Sequence, residues 1–306
     1  MKNISQKTLR DKIEIDGIGL HNGVKVNLSI KPAKPNSGIV FKRIDIENNN
    51  IIHANFKNVV EPILCTKLKN DSGASVSTVE HLMAAFYGEG IDNALVEIDA
   101  PEIPILDGSA IDFVDAIKGV GIEEQNVKKK FIKVLKKVEV KDGSKFISIE
   151  PLNYDLIIDF EIVFNNPLIR KRRKEFKLSS DNLSEIYNSR TFCLYEDIDN
   201  IKRMGLAKGG SLENAIVVQG DKILNEDGLR NRHEFVYHKI LDCMGDIMLS
   251  GNRIFGHIKT SQGGHALTNK LLKKFFSEKS NWCYENFENI EKQNQNSYEK
   301  PLAINV

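Results

Sequence analysis

Residues 13–30, Ile-Glu-Ile-Asp-Gly-Ile-Gly-Leu-His-Asn-Gly-Val-Lys-Val-Asn-Leu-Ser-Ile, read as a β-hairpin. Val-Lys-Val-Asn-Leu-Ser-Ile alternates with period two, the pattern of a half-buried strand. His21-Asn22-Gly23 joins it to the preceding strand, and Asn-Gly is a favoured pair for a type I′ turn. Pro32 and Pro35 break the run. A similar series recurs later: a strand over 131–140, the turn Asp142-Gly143, the alternating Lys145-Phe-Ile-Ser-Ile, then Pro151 and further strands through Phe164.

Each half also closes on helices. The spacing predicts them over 77–87 and 111–118 in the first half, and over 182–187, 234–249 and 267–276 in the second. Strands followed by helices, twice, predict an α+β protein of two halves rather than a doubly wound parallel sheet. Charged residues around 123–130 mark the boundary, placed at about 126, so that 1–126 and 127–306 form the two domains. Two segments read as insertions: Arg-Lys-Arg-Arg-Lys-Glu-Phe-Lys at 170–177, expected as a solvated loop, and 205–221, a glycine-hinged excursion that could line a pocket. The last 20 residues, polar and asparagine-rich, are expected as a loosely held tail.

The chain has 306 residues, with 43 basic against 42 acidic, so a net charge of +1 gives no global field for nucleic acid. Four cysteines, Cys65, Cys193, Cys243 and Cys283, form no C-x-x-C pair, which argues against a zinc knot and a disulfide framework. No signal peptide and no run near the roughly 18 apolar residues of a membrane span is read. A cytoplasmic protein is expected.

Phe235 to Asp246 carries the chemistry. On a helix, His238, Lys239, Asp242 and Asp246 share one stripe opposite Val236, Ile240, Leu241, Met244 and Ile247. His238 and Asp242, spaced i, i+4, could hold one metal ion or form a surface hydrogen bond. Ser77-Thr-Val-Glu-His-Leu adds a second element: either a capping box between Ser77 and Glu80, or a Glu80-His81 pair at a helix start. His81, His238 and Asp242 would supply the three protein ligands common in zinc hydrolases, with Glu80 as the adjacent base that activates water. His265, delivered by Gly263-Gly264, is either an exposed turn histidine or the acid that protonates a departing amine, its ring held by Asp246. Thr191, in Ser-Arg-Thr-Phe, offers a hydroxyl to an oxyanion, as any threonine could. His21, His53, His233 and His257 read as structural or exposed.

These motifs, in order, resemble a known family. Gly17-Ile-Gly-Leu-His-Asn-Gly, Ser77-Thr-Val-Glu-His-Leu, Ala100-Pro-Glu-Ile-Pro-Ile-Leu-Asp-Gly-Ser, Ser189-Arg-Thr-Phe, Leu224-Asn-Glu-Asp-Gly-Leu-Arg, His238-Lys-Ile-Leu-Asp and Gly264-His-Ala-Leu are similar to those of UDP-3-O-acyl-N-acetylglucosamine deacetylases, the zinc amidases of lipid A (lipopolysaccharide) biosynthesis. The resemblance implies two domains of similar topology, each a β-sheet with two helices, packed as a sheet/helices/sheet sandwich with the active site at the junction. It implies His81, His238 and Asp242 as ligands of Zn2+ (or Fe2+), Glu80 as base and His265 as acid. Thr191 would face the oxyanion, Lys239 the substrate, and Asp246 would support His265. It also implies an acyl-chain insertion over about 193–220, beginning beside Phe192, with Leu20 at its mouth and Phe164 under the uracil. The expected partner is a UDP-sugar carrying a fatty acyl chain, bound by a monomer, with no nucleic acid and no transmembrane segment. The basic run at 170–177, Gln262 and the tail depart from the family's pattern. The alternatives are a zinc amidase of the same fold acting on another acylated amine, and a non-catalytic binding protein.

Overall fold

The computed structural model describes residues 5–60 and 62–285; the expected C-terminal tail of 20 residues lies outside the described residues. The first half runs β1 (Ser5–Leu9), β2 (Ile13–Ile18), β3 (Lys25–Pro32), β4 (Ile39–Arg43), β5 (Ile51–His53), β6 (Leu68–Lys69), β7 (Ser75–Val76), α1 (Glu80–Glu89), β8 (Ala94–Ile98), α2 (Ile111–Val120) and β9 (Ile122–Lys128). The second runs β10 (Phe131–Val134), β11 (Val138–Asp142), β12 (Lys145–Glu150), β13 (Leu156–Val163), β14 (Lys171–Lys177), α3 (Leu183–Tyr187), β15 (Phe192–Leu194), α4 (Ile198–Arg203), β16 (Ile216–Gln219), β17 (Lys222–Ile223), α5 (Glu234–Met248), β18 (Arg253–Ser261), α6 (His265–Ser277) and β19 (Trp282–Glu285).

The repeat is a repeat of topology. In the first half the order is β2-β3-β8-β4-β5, antiparallel except for the parallel β4/β8 pair. In the second, β11-β12-β18-β13-β14 follows the same signs, with β13/β18 parallel. A parallel pair needs a crossover, and it is here that α1 and α5 enter, one in each half. α2 then follows β8 as α6 follows β18. β18 also pairs with β10, which β19 extends. Four helices pack together and against the sheets: α1 on α5 and α2, α2 on β2, α5 on β13 and α6, and α6 on β11 and β12. Burial explains the patterns, since β3 alternates (Val26, Leu28 and Ile30 inward) while α1 from Glu80 to Tyr87 is buried all round.

Several expectations are corrected by local bonding. The β2–β3 connection is no two-residue type I′ turn but spans residues 19–24, with positive φ at Gly23 and not at Asn22. The Glu102 carboxylate accepts from the amides of His21 and Asn22 and sets this path. Residues 131–140 form two strands, because the chain leaves β10 at Leu135, whose amide bonds to Asn281 O. The basic run is the edge strand β14, not a loop: Phe176 is buried, and Lys171 and Arg173 pair with Glu161 and Asp159 on β13. Within 205–221 lies β16, parallel to β15. Position 126 falls inside β9, which pairs with β1.

Candidate active site

The polar stripe of α5 faces inward. His238, Asp242 and Asp246 are each at least 96% buried, and so are Glu80 and His81. A solvated face is thereby excluded. The close approach of α1 to α5 depends on Gly245, where a Cβ would stand 2.0 Å from the carbonyl oxygen of Glu80. Glu80 opens α1 itself, so no capping box forms: Ser77 Oγ donates to Pro101 O, and Glu80 Oε2 accepts from the amide of Thr66.

His81, His238 and Asp242 each offer a ligand atom, and these atoms all lie within 4.8 Å of one another. Asp242 Oδ1 stands 3.6 Å from His81 Nε2 and 3.5 Å from His238 Nε2. Both separations exceed a normal hydrogen bond. They approach the roughly 3.3–3.4 Å edge of a tetrahedron whose ligands stand about 2.0–2.1 Å from zinc. Burial pushes His238 down to about 3, so its ring is neutral, and its Nδ1 donates to Ser189 O at 3.0 Å, which leaves Nε2 free. Although burial disfavours its charge, Asp242 is held well below the usual carboxylate range by the Lys239 ammonium, whose Nζ is 2.6 Å from Oδ2. The donor set therefore fits a divalent ion.

Beside it lies a proton-handling group. His265 opens α6, with Nδ1 2.8 Å from Asp246 Oδ2 and Nε2 3.6 Å from Glu80 Oε1. Burial opposes its charge, but Asp246 and Glu80 outweigh it and raise its pKa to about 9. Burial likewise raises the Glu80 carboxyl, against the pull of His265 and His81. Two proton-binding groups thus face the same space, each holding its proton more tightly than usual.

That space is a cavity of about 570 Å³ lined by Glu80, His81, His238, Lys239, Asp242 and His265, together with Thr191, Phe192, Phe164 and Leu20. Asp246 stands behind His265 rather than on the wall. A second, more apolar cavity of about 380 Å³ adjoins it, sharing Leu20, Leu64, Thr191, Phe192 and Cys193 and continuing past Ile198, Ala207, Ala215 and Val217.

Residues 6–277 match the family model described as UDP-3-O-acyl N-acetylglycosamine deacetylase (LpxC). The chain belongs to this family. Relatives named UDP-3-O-acyl-N-acetylglucosamine deacetylase include one from Actinobacillus succinogenes, 45% identical over 94% of this chain and 95% of its own. Another, from Haemophilus influenzae, is 45% identical over 98% of this chain and 99% of its own. A third, from Mannheimia succiniciproducens, is 44% identical over 94% and 95%.

Within this family frame the structure adds two residues that the sequence reading passed over. His21, read as a turn histidine, is buried on the walls of both cavities, with neither ring nitrogen hydrogen-bonded among the described residues. Thr66 is buried between Glu80 and Asp246. His21 sits beside Leu20 in the Gly17–Gly23 motif; Thr66 lies in no motif.

Proposed function

We propose that this member of the deacetylase family hydrolyses the 2-acetamido group of a UDP-3-O-acyl-N-acetylglucosamine, releasing acetate and a free amine, in lipid A biosynthesis. The observation that carries the reading is the convergence of His81, His238 and Asp242 with Glu80 and His265 in one cavity that opens into an apolar one. The three ligands would hold a divalent ion, Zn2+ in our reading and with Fe2+ suited to the same donors.

That ion, when bound, supplies a water of pKa near 7 and polarises the amide carbonyl. Glu80 accepts the proton of the attacking water through Oε1, the oxygen left free by Thr66. His265, charged at neutral pH, gives its Nε2 proton to the departing nitrogen while Asp246 holds Nδ1. The Thr191 hydroxyl faces the developing oxyanion, and Lys239, fixed on Asp242, presents its charge to the substrate. The acyl chain enters the second cavity past Leu20 and Phe192, and Phe164, edge-on to Phe192 with centroids 5.5 Å apart, takes the uracil. Four unpaired cysteines support a reducing, cytoplasmic setting.

Metal quantification after aerobic and anaerobic purification, followed by a deacetylation assay over a series of acyl lengths, tests this. One tightly bound zinc or iron per chain and turnover that rises with chain length are expected. Equal activity on a substrate without the 3-O-acyl chain would point to an amidase of another acylated amine.

A further inference from the structure

Thr66 lies in the segment between β5 and β6 and is 99% buried. Its amide donates to Glu80 Oε2 at 3.0 Å, and its hydroxyl donates to Asp246 Oδ1 at 2.5 Å. The two carboxylates come from different helices, α1 and α5. Each is thus tied by one oxygen to Thr66 and turns its other toward His265: Glu80 Oε1 stands 3.6 Å from Nε2, and Asp246 Oδ2 stands 2.8 Å from Nδ1. The carbonyl of Thr66 accepts from Val79 N at 3.4 Å, which fixes the residue to the start of α1.

We infer that Thr66 is a positioning residue for the deacetylation: its amide and hydroxyl divide two buried carboxylates so that one oxygen of each faces the His265 ring. Without the hydroxyl, Asp246 is free to rotate about its own side chain, the His265 ring loses its fixed orientation, and Nε2 no longer points at the departing nitrogen. The backbone amide still holds Glu80. The hydroxyl therefore serves the acid and not the base.

The inference rests on the proposed reaction and is tested with the full-length, metal-loaded chain. Thr66→Val keeps shape and amide but removes the hydroxyl; kcat should fall about 10–100-fold, the usual cost of losing such an outer partner, with KM and bound metal unchanged. Thr66→Ser should restore most of the rate. In a His265→Gln background the same Thr66→Val change should cost almost nothing, because the group through which it acts is gone. The downfield ring-proton signal of His265 Nδ1 should be kept in Thr66→Ser and lost in Thr66→Val. An equal loss of rate with and without His265, or a loss of metal and folding in Thr66→Val that Thr66→Ser shares, would overturn the inference. Absence of turnover in the unsubstituted metal-loaded chain would instead overturn the proposed function.

Discussion

Two charged clusters stand out in this chain, the stripe of α5 and the run on β14, and the structure treats them in opposite ways. On α5, His238, Asp242 and Asp246 are buried and every carboxylate meets a cation or an imidazole. On β14, Lys171, Arg173 and Glu175 stand in solvent on an edge strand, where Arg173 reaches back to the buried Asp159 and Lys171 to Glu161. Charges on an edge discourage pairing with other chains, whereas buried charges persist only when each is matched by partners. The difference teaches that a run of charge gains chemical meaning from what covers it.

The comparison can be broken at graded cost. The deepest pair anchors the start of α5, where Glu234, fully buried, accepts from the side chain and amide of Arg190. Arg190→Met leaves that carboxylate unpaired and should destabilise the protein by about 3–5 kcal/mol in denaturant unfolding. Gly245→Ala should cost about 1–3 kcal/mol through overpacking against Glu80 O. It should also slow turnover on the order of 10²-fold as Glu80 is displaced, a loss that steady-state kinetics would register.

A pH titration sharpens the same contrast. His265 is raised above its ordinary value to about 9, so in the metal-free protein its pairing contributes stability that is fully present below about 6.5. That contribution is lost as the pH rises through about 9. The Tm difference between the wild-type chain and His265→Gln should therefore shrink from about pH 6 to about pH 10. At the bottom of the scale, Lys171→Ala on β14 should change stability by only about 0–1 kcal/mol, as for exposed pairs, because Glu161 still accepts from Ser261, and leave kcat/KM untouched.

The sequence carried α5, α2 and α3 within a few residues of their ends, because a 3.6-residue period survives where apolar and polar faces are distinct. It also carried the hairpins and the repeat in outline. β14 was hidden because seven of the eight residues at 170–177 are charged, and only Phe176 betrays the period of two. The start of α1 was misplaced because Ser77-x-x-Glu80 satisfies a local capping rule, while the carboxylate in fact goes to Thr66 across the chain. Thr66 itself lay beyond reach, since its role comes from two contacts 14 and 180 residues away. His21 was discounted as a turn residue, and only the fold turns that loop over the cavities.

The proposed division of work sets His81 from α1 with His238 and Asp242 from α5 as ligands, against Glu80 as the base. Metal content and deacetylation rate measured together on Glu80→Ala and His238→Ala test it most directly. Glu80→Ala should keep its metal while turnover falls about 10²–10⁴-fold, and His238→Ala should lose metal and turnover together. Equal metal loss in both, or full activity in Glu80→Ala, would contradict the account.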